Sequence, residues 1–339
     1  MNIVVTGGGG YIGTSLVPIL LQRGHRVTVI DRFFFGAEIF AVLKGNASLR
    51  LVRDDVRWFD GGLLKGQDAV IDMAALSNDP AGDLDPWKTL DINYLGRIRV
   101  ARLAREAGVA RYILTSSCSV YGFRDGLLDE TTPPNPLTTY ARANVLAEGD
   151  ILPLATPTFC PMAVRFATLY GLSGRMRLDL AINAMVVGAR KSGKIPIMKD
   201  GTQWRPFLHV RDAARALTEL LEKDPSKIRS QVFNIGSDDQ NFQIAKLAEL
   251  VADSMSTRPT LEWYGDPDLR SYRVSFRRAS QELGFHPQLT PGDATREIES
   301  ALASGALVPS VQHKTVEWYR HLLSDPSAGE SIALRGVVL

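Results

Sequence analysis

Residues 6–13 read Thr-Gly-Gly-Gly-Gly-Tyr-Ile-Gly and follow the apolar run Ile3-Val4-Val5 directly. A short strand feeding a glycine turn and then a helix leaves backbone N–H groups at the helix N-terminus, where a phosphate anion binds well. Gly7 permits the tight turn, Gly10 lets a pyrophosphate approach the backbone, and Gly13 lets helix and strand pack closely, with Tyr11 and Ile12 between them in the loop. The spacing is G-x-x-G-x-x-G. Its surroundings strengthen it. Residues 14–23 form an amphipathic helical pattern through Leu16, Ile19, Leu20 and Leu21, and residues 27–30 read as a second strand ending in Asp31. An acidic residue there can bind both ribose hydroxyls of NAD and would repel the extra phosphate of NADP. Arg32, next to it, is the residue type that accepts such a phosphate. The pair is read as favouring NAD over NADP.

The first 170 residues alternate strands and helices. Strands are expected at 49–53, 69–72, 112–115 and 162–166, a long helix at 86–106 with an apolar stripe through Leu90, Leu95, Ile98, Val100 and Leu103, and another helix at 139–149. This alternation predicts an α/β fold, a Rossmann-type doubly wound parallel sheet whose ligands bind beyond the carboxyl ends of the strands. From about Gly171 the pattern loosens. Helices at 178–191, 210–222 and 244–255 and short strands at 195–198, 232–235 and 260–263 predict a smaller mixed α/β C-terminal lobe that completes a cleft. The expected division is 1–170 for the dinucleotide lobe, with parts of the later chain returning to it, 171–323 for the substrate lobe, and 324–339 for a frayed or loosely docked tail.

The chain has 339 residues and a net charge of +2, with acids and bases interspersed. That balance gives no reason to expect nucleic acid or a membrane surface as partner. No apolar run approaches the ~20 residues needed to span a bilayer. The first strand begins at Asn2, leaving no room for a signal peptide, and the two cysteines, Cys118 and Cys160, suit a reducing compartment; the expected location is cytoplasmic. The five histidines show no metal-ligand spacing, so no metal is expected. The stretch Gly188-Ala189-Arg190-Lys191-Ser192-Gly193-Lys194 imitates a P-loop, but Ile195 stands where the magnesium-binding hydroxyl belongs, and a helix precedes it where a strand should.

Two further segments carry chemistry. Ser116-Ser117-Cys118-Ser119-Val120-Tyr121-Gly122 ends a predicted strand, and Tyr140-Ala141-Arg142-Ala143-Asn144 opens a helix. Residues four apart share a helix face, so Tyr140 and Asn144 point the same way and can converge with Ser117 beside a nicotinamide. Here the chain resembles the extended short-chain dehydrogenase/reductase family, and within it the NAD-dependent nucleotide-sugar epimerases and dehydratases. The resemblance runs from residue 1 to about Pro291. It includes Asp55-Val56 (the adenine side in that family), Met73-Ala74-Ala75, Asn93, the Ser117 and Tyr140 segments, Arg165 to Gly171 with Phe166 beside the cofactor, residues 201–210 and residues 279–285.

The resemblance implies a nucleotide-diphosphate sugar as partner, NAD as cofactor and a homodimer formed through the helices at 86 and 140. It also implies a mechanism. The tyrosine acts as general base on a sugar hydroxyl while NAD takes a hydride from the same carbon, and the serine holds the same oxygen. The keto sugar then rotates and is re-reduced, loses water, or epimerises next to the carbonyl. A base needs a pKa near the working pH, and an unperturbed tyrosine lies near ~10. In that family a lysine four residues after the tyrosine adds positive charge and holds the nicotinamide ribose. Here that position is Asn144. A nearby cation lowers the pKa of an acid by about 1–3 pH units, and asparagine carries none. Three readings follow: the nicotinamide's charge and a helix N-terminus suffice; Tyr140 works mainly as an acid and another group is the base; or the protein binds its ligands with little catalysis.

Positions 118 and 119 are an acid pair in the 4,6-dehydratases of that family. Cys118 and Ser119 here argue against ordinary 4,6-dehydration. Cys118 is either an acid/base with a lowered pKa or a small neutral lining residue. Arg205 and Arg270 are the candidates for the sugar-nucleotide diphosphate, since arginine forks match phosphate oxygens, with Arg273 an alternative to the second. Thr168 stands where many relatives carry a substrate-binding asparagine, and Ser77 and Asn78 can meet the sugar or simply be polar loop residues. The expected activity is epimerisation through a transient keto sugar. Its rivals are a dehydratase, a reductase or dehydrogenase on a similar sugar, and a catalytically weak NAD-binding or interaction protein.

Overall fold

The computed structural model describes residues 1–198, 200–266 and 271–339. Seven parallel strands form the central sheet: β1 (Asn2–Thr6), β2 (Arg26–Asp31), β3 (Leu49–Arg53), β4 (Ala69–Asp72), β5 (Arg111–Ser117), β6 (Cys160–Phe166) and β7 (Val232–Ile235). Their order is β7-β6-β5-β4-β1-β2-β3. It reverses between β1 and β4, which opens a crevice at their carboxyl ends. Ile3, Val4 and Val5 are fully buried because helices cover both faces of the sheet. The helix α1 (Gly13–Gln22) buries Leu16, Val17 and Leu20 on one face. The other face packs on α2 (Arg97–Glu106), through Ile98, Val100, Ala101 and Ala104, and on Ala147 and Ile151 of α3 (Thr139–Ile151).

The expected long helix from Pro86 is three pieces: Pro86–Leu90, a wide six-residue π segment at Asp91–Gly96, and α2. Within the wide turn Asn93 is fully buried and bonds the backbone of Leu76 in both directions, at 2.8 and 3.0 Å. The predicted stripe fails at Leu95, which is 55% exposed, because a π turn rotates side chains away from the 3.6-residue period.

The second lobe holds a three-stranded sheet (Thr168–Tyr170, Trp204–His209, Asn241–Gln243), a strand pair (Lys194–Met198 with Thr260–Tyr264) and the helices Ala181–Ser192, Ile244–Ser254 and Pro291–Ala303. They share a core that includes Tyr170, Ile182, Phe207, Leu247 and Ile298. The chain crosses back between the lobes. The helix Val210–Leu220 packs beside α1 in the core of the large sheet, and β7 is that sheet's edge strand. Among the described residues no helix is long and apolar enough to cross a membrane.

Of the two expectations for the tail, frayed or loosely docked, the structure shows it docked. Pro326–Ile332 is a helix capped by Asp325, and Leu339 is 2% exposed. Arg32 Nη2 donates to the carbonyls of Ile332, Val337 and Val338 at 3.2, 2.7 and 3.0 Å, and Lys88 Nζ donates to the Leu339 carbonyl at 2.7 Å. A buried guanidinium needs acceptors, and this backbone supplies them; the partnership spans 300 residues or more, so local composition holds no trace of it. Deleting residues 333–339 is expected to cost about 2 kcal/mol or more of unfolding free energy, read as a lower urea midpoint. An unchanged midpoint would mean that the docked tail contributes nothing.

Candidate functional site

A cavity of about 580 Å³ opens at the carboxyl ends of β1, β2, β4, β5 and β6 and is roofed by the second lobe. The glycine turn forms one end. Gly7 has φ of +66°, and a Cβ there would lie 2.7 Å from the Ala74 backbone; a Cβ on Gly13 would lie 2.2 Å from the Gly8 carbonyl oxygen. Neither position admits a side chain, so the loop after β4 and the start of α1 close tightly around the turn. Gly7, Gly10, Tyr11, Ile12 and Gly13 all line the cavity, as do Val56, Met73, Ala74, Ala75 and Phe166. Asp31 also lines it, and its carboxylate accepts from the Gly9 and Phe33 amides at 2.8 and 2.6 Å. Burial nevertheless pushes this carboxyl above its ordinary range.

Arg32 has a different task from the one considered for it. Its Nη1 donates to Asp55 at 2.8 Å and its Nη2 is held by the tail carbonyls. Those donors are committed within the protein, which suits NAD better than NADP. Asp55 is equally committed. Burial alone would raise its carboxyl, but hydrogen bonds from Arg57 and Arg32 outweigh that and hold it below the usual carboxylate range. Asn93 does not reach the cavity among the described residues; it holds the loop after β4 from behind.

Ser117 and Tyr140 both stand on the cavity wall. The strand β5 carries Ser117 at its end, and its Oγ accepts from the Ser119 amide at 3.1 Å. Beneath it, Ser116 Oγ donates to Glu148 at 2.5 Å, and Glu148 pairs with Arg165 at 2.6 Å, a buried brace between β5, β6 and α3. Tyr140 lies in the first turn of α3, whose N-cap Thr138 accepts from the Ala141 amide. Desolvation raises the Tyr140 phenol, and so does Asp79; hydrogen bonding from Asn144 and the charges of Arg97 and Arg177 work in the opposite direction.

Two expectations are corrected. Cys118 is 1% exposed, donates its thiol to the Arg165 carbonyl at 3.3 Å and is not among the lining residues, while its neighbours Ser117 and Ser119 are. Burial pushes the thiol up, which suits a small neutral core residue and opposes use as an acid or base at neutral pH. Asn144 is also 1% exposed and lies behind the wall. Its Oδ1 accepts from Arg97 Nη1 and its Nδ2 donates to the Tyr140 carbonyl, both at 3.2 Å. The lining residue at that point is Arg97.

On the second-lobe side, Ser77, Asn78, Thr168 and Arg205 line the cavity. Asn78 takes φ of +81°, accepts from the Ala81 amide and donates to Asp179 at 3.0 Å. Arg205 donates to the Trp204 carbonyl at 2.8 Å, and its guanidinium lies 5.1 Å from the Tyr272 ring centre. Arg270 falls outside the described residues.

Two arginines escaped the sequence reading, Arg175 and Arg177, and their alternation with Asp179 just after Gly171 was the available signal. Arg177 pairs with Asp179 at 2.7 Å. Arg175 is 4% exposed, donates from Nη2 to Thr315 Oγ1 and lies 3.7 Å over the Phe35 ring, while its Nε and Nη1 have no partner within the described protein. A buried cation with unsatisfied donors on a cavity wall calls for an anion. With the side-chain-free glycine turn, it fits the pyrophosphate of a dinucleotide. Among the described residues no group of His, Cys, Asp and Glu could hold a metal.

Fold and site together define a dinucleotide-dependent enzyme of the doubly wound class. The model of the NAD dependent epimerase/dehydratase family matches residues 3–236, and the chain belongs to that family. It is 29% identical over 308 residues to UDP-glucuronic acid decarboxylase 1 of Arabidopsis thaliana, covering 86% of this chain and 67% of that one. The chain spans about two thirds of the length of the first such plant relatives. Among solved structures, MoeE5 in complex with UDP-glucuronic acid and NAD superposes with a TM-score of 0.78 at 29% identity, over 90% of this chain and 100% of that one. UDP-glucuronic acid 4-epimerase from Bacillus cereus shares the fold, with a TM-score of 0.80 at 23% identity over 90% of this chain and 99% of that one. The cofactor is NAD, and the family's members act on nucleotide sugars as epimerases, dehydratases and decarboxylases.

Gly13→Ala is expected to weaken NAD binding at least about tenfold by calorimetry, because its methyl group meets backbone. Equal affinity would contradict the cradle described for the turn.

Proposed function

We propose that this chain is an NAD-dependent epimerase of a UDP-sugar, working through a transient keto intermediate. The observation that carries the reading is the presence of Ser117 and Tyr140 on one wall of the cavity that the glycine turn closes. NAD, when bound, supplies a hydride acceptor and later a donor. The protein's part is to bind, orient and move a proton. Tyr140 takes the proton of a sugar hydroxyl, and Ser117 fixes the same oxygen through its hydroxyl. Arg205 and Arg175 are cations suited to the phosphates of the two ligands, and Ser77, Asn78 and Thr168 offer polar contacts to the sugar. Tyr140 then returns the proton to the carbonyl oxygen of the turned keto sugar; the inversion itself would come from hydride delivered to the opposite face of that carbon. The absence of an acid pair at positions 118 and 119, with Cys118 turned into the core, disfavours loss of water.

A second reading is decarboxylation of a UDP-hexuronic acid. It is favoured by one specific observation, that the first plant relatives are UDP-glucuronic acid decarboxylases. Oxidation next to the carbon that bears the carboxylate produces a β-keto acid, which loses carbon dioxide readily.

We also propose a homodimer. Leu95 beside α2 and Leu146 on α3 are 55% and 44% exposed, an apolar pair on neighbouring helices. The two buried free cysteines accord with a reducing compartment, and we place the protein in the cytoplasm.

Incubation with UDP-glucuronic acid and UDP-glucose in turn should yield an isomer of unchanged mass from at least one of them. A product lighter by carbon dioxide would replace epimerisation by decarboxylation, and turnover of neither would remove these UDP-sugars as substrates. Tyr140→Phe is expected to lower turnover about a hundredfold or more, while Cys118→Ala stays within about twofold of the parent. Because the phenol is held above its ordinary value, its basic form grows with pH, so single-turnover NADH formation should rise steadily from neutral toward alkaline pH. A flat profile would remove Tyr140 as base. In light scattering the parent should be a dimer and Leu95→Glu/Leu146→Glu a monomer; a dimeric double variant would move the interface elsewhere.

A further inference from the structure

Arg97 is the most heavily buried cation on the cavity wall, 1% exposed, and nothing in the mechanism above uses it. A fully buried arginine persists only where its donors are met. Here Nε donates to Asp72 Oδ2 at 3.2 Å, and Nη2 to the carbonyls of Asp72 and Thr115 at 2.9 and 2.6 Å. Nη1 donates to Asn144 Oδ1 at 3.2 Å, and the same asparagine donates to the Tyr140 carbonyl. The chain Arg97–Asn144–Tyr140 therefore joins α2 to the turn of α3 that carries the phenol.

The counter-charge sits at the far end. Asp72 is fully buried and accepts from Thr6 Oγ1 and Tyr112 OH, both at 2.5 Å, as well as from Arg97. Its closest bonds are to the two hydroxyls, and its contact with arginine is at Nε, so the guanidinium edge opposite Asp72 is the one turned to Asn144. Around Tyr140 the other charged groups are Asp79 on the short helix Asp79–Gly82, Asp83 at its end, which accepts from the Thr139 amide, and Arg177, itself paired with Asp179. Arg177 and Arg97 are each paired with a carboxylate, Arg177 with both oxygens of Asp179 and Arg97 with Asp72 through Nε alone, so the Nη1 edge of Arg97 stays turned toward Asn144 and the turn that carries Tyr140.

We propose that Arg97 is the positioning residue of the redox centre, held by Asn144 beside the helical turn that carries Tyr140 so that its positive charge favours the phenolate. The charge expected on the side chain at 144 is thus carried by a different helix, and Asn144 is the coupler that orients it. This inference rests on Tyr140 being the base, and it deepens that reading.

The test reads Tyr140 directly. Protein labelled with carbon-13 at the tyrosine Cζ is titrated by NMR without ligands, with the Tyr140 signal assigned by its loss in Tyr140→Phe. Arg97→Gln is expected to raise the Tyr140 midpoint by about 1 pH unit or more. Asp72→Asn/Arg97→Gln, which leaves no unpaired buried carboxylate, should show the same rise if the single variant fails to fold. Arg97→Lys should keep most of the parent midpoint, and Arg97→Gln/Asn144→Lys, which moves the cation to position 144, should restore it. The acidic limb of single-turnover NADH formation with UDP-glucuronic acid or UDP-glucose should move in parallel. A folded Arg97→Gln or Asp72→Asn/Arg97→Gln with an unchanged midpoint would overturn the proposal, as would a double variant with lysine at 144 that restores nothing. The ligand-free titration stands apart from turnover: a protein that turns over neither UDP-sugar yet shows these shifts fails the functional reading and keeps this one.

Discussion

One buried carboxylate ties the catalytic end of this protein together. Asp72, at the tip of β4, accepts from Thr6 at the tip of β1, from Tyr112 on β5 and from Arg97 on α2. An isolated charge in that position would be strongly disfavoured; three donors, one of them a cation, make it tenable. These bonds fix the relative heights of three adjacent strands where their carboxyl ends open into the cavity. On that platform Gly7 meets the loop after β4 with no room for a side chain, and Ser117 ends β5 a short step beyond Thr115, whose carbonyl also accepts from Arg97.

The arginines around the cavity divide into those that build it and those that face a ligand. Arg32 and Arg57 converge on Asp55, and Arg32 also gathers the C-terminal carbonyls, so the tail is fastened behind the Asp55 end of the cavity. Arg165 is held by Glu148 and braces β6 to α3. Arg175 lies on the cavity wall over the Phe35 ring and retains two donors without a partner among the described residues, which suits an anionic ligand. The same residue type thus does opposite work, and only its partners tell which.

Much of this was legible in the sequence because it is local. The glycine turn, the alternation of strand and helix through residue 166, Asp31 at a strand end and the Ser117 and Tyr140 segments all depend on neighbours close along the chain. What escaped depends on distant neighbours. The tail docks because Arg32 needs acceptors some 300 residues away. Leu95 leaves the apolar stripe because a π turn shifts the helical period. Cys118 reads from the sequence as an acid/base or a small lining residue, yet it opens the tight turn Cys118–Tyr121 after β5 and its thiol enters the core. Asn144 read as a missing charge, and only the packing of α2 against α3 places Arg97 beside it.

The central claim is spatial: the phenol of Tyr140 and the hydroxyl of Ser117 face the reactive ring of an NAD molecule whose pyrophosphate rests on the glycine turn. A crystal structure of the complex with NAD and a UDP-sugar measures this directly. The account requires the nicotinamide within contact of both side chains, with the sugar between them. A dinucleotide bound with its nicotinamide remote from Tyr140, or a sugar seated away from Ser117, would contradict it.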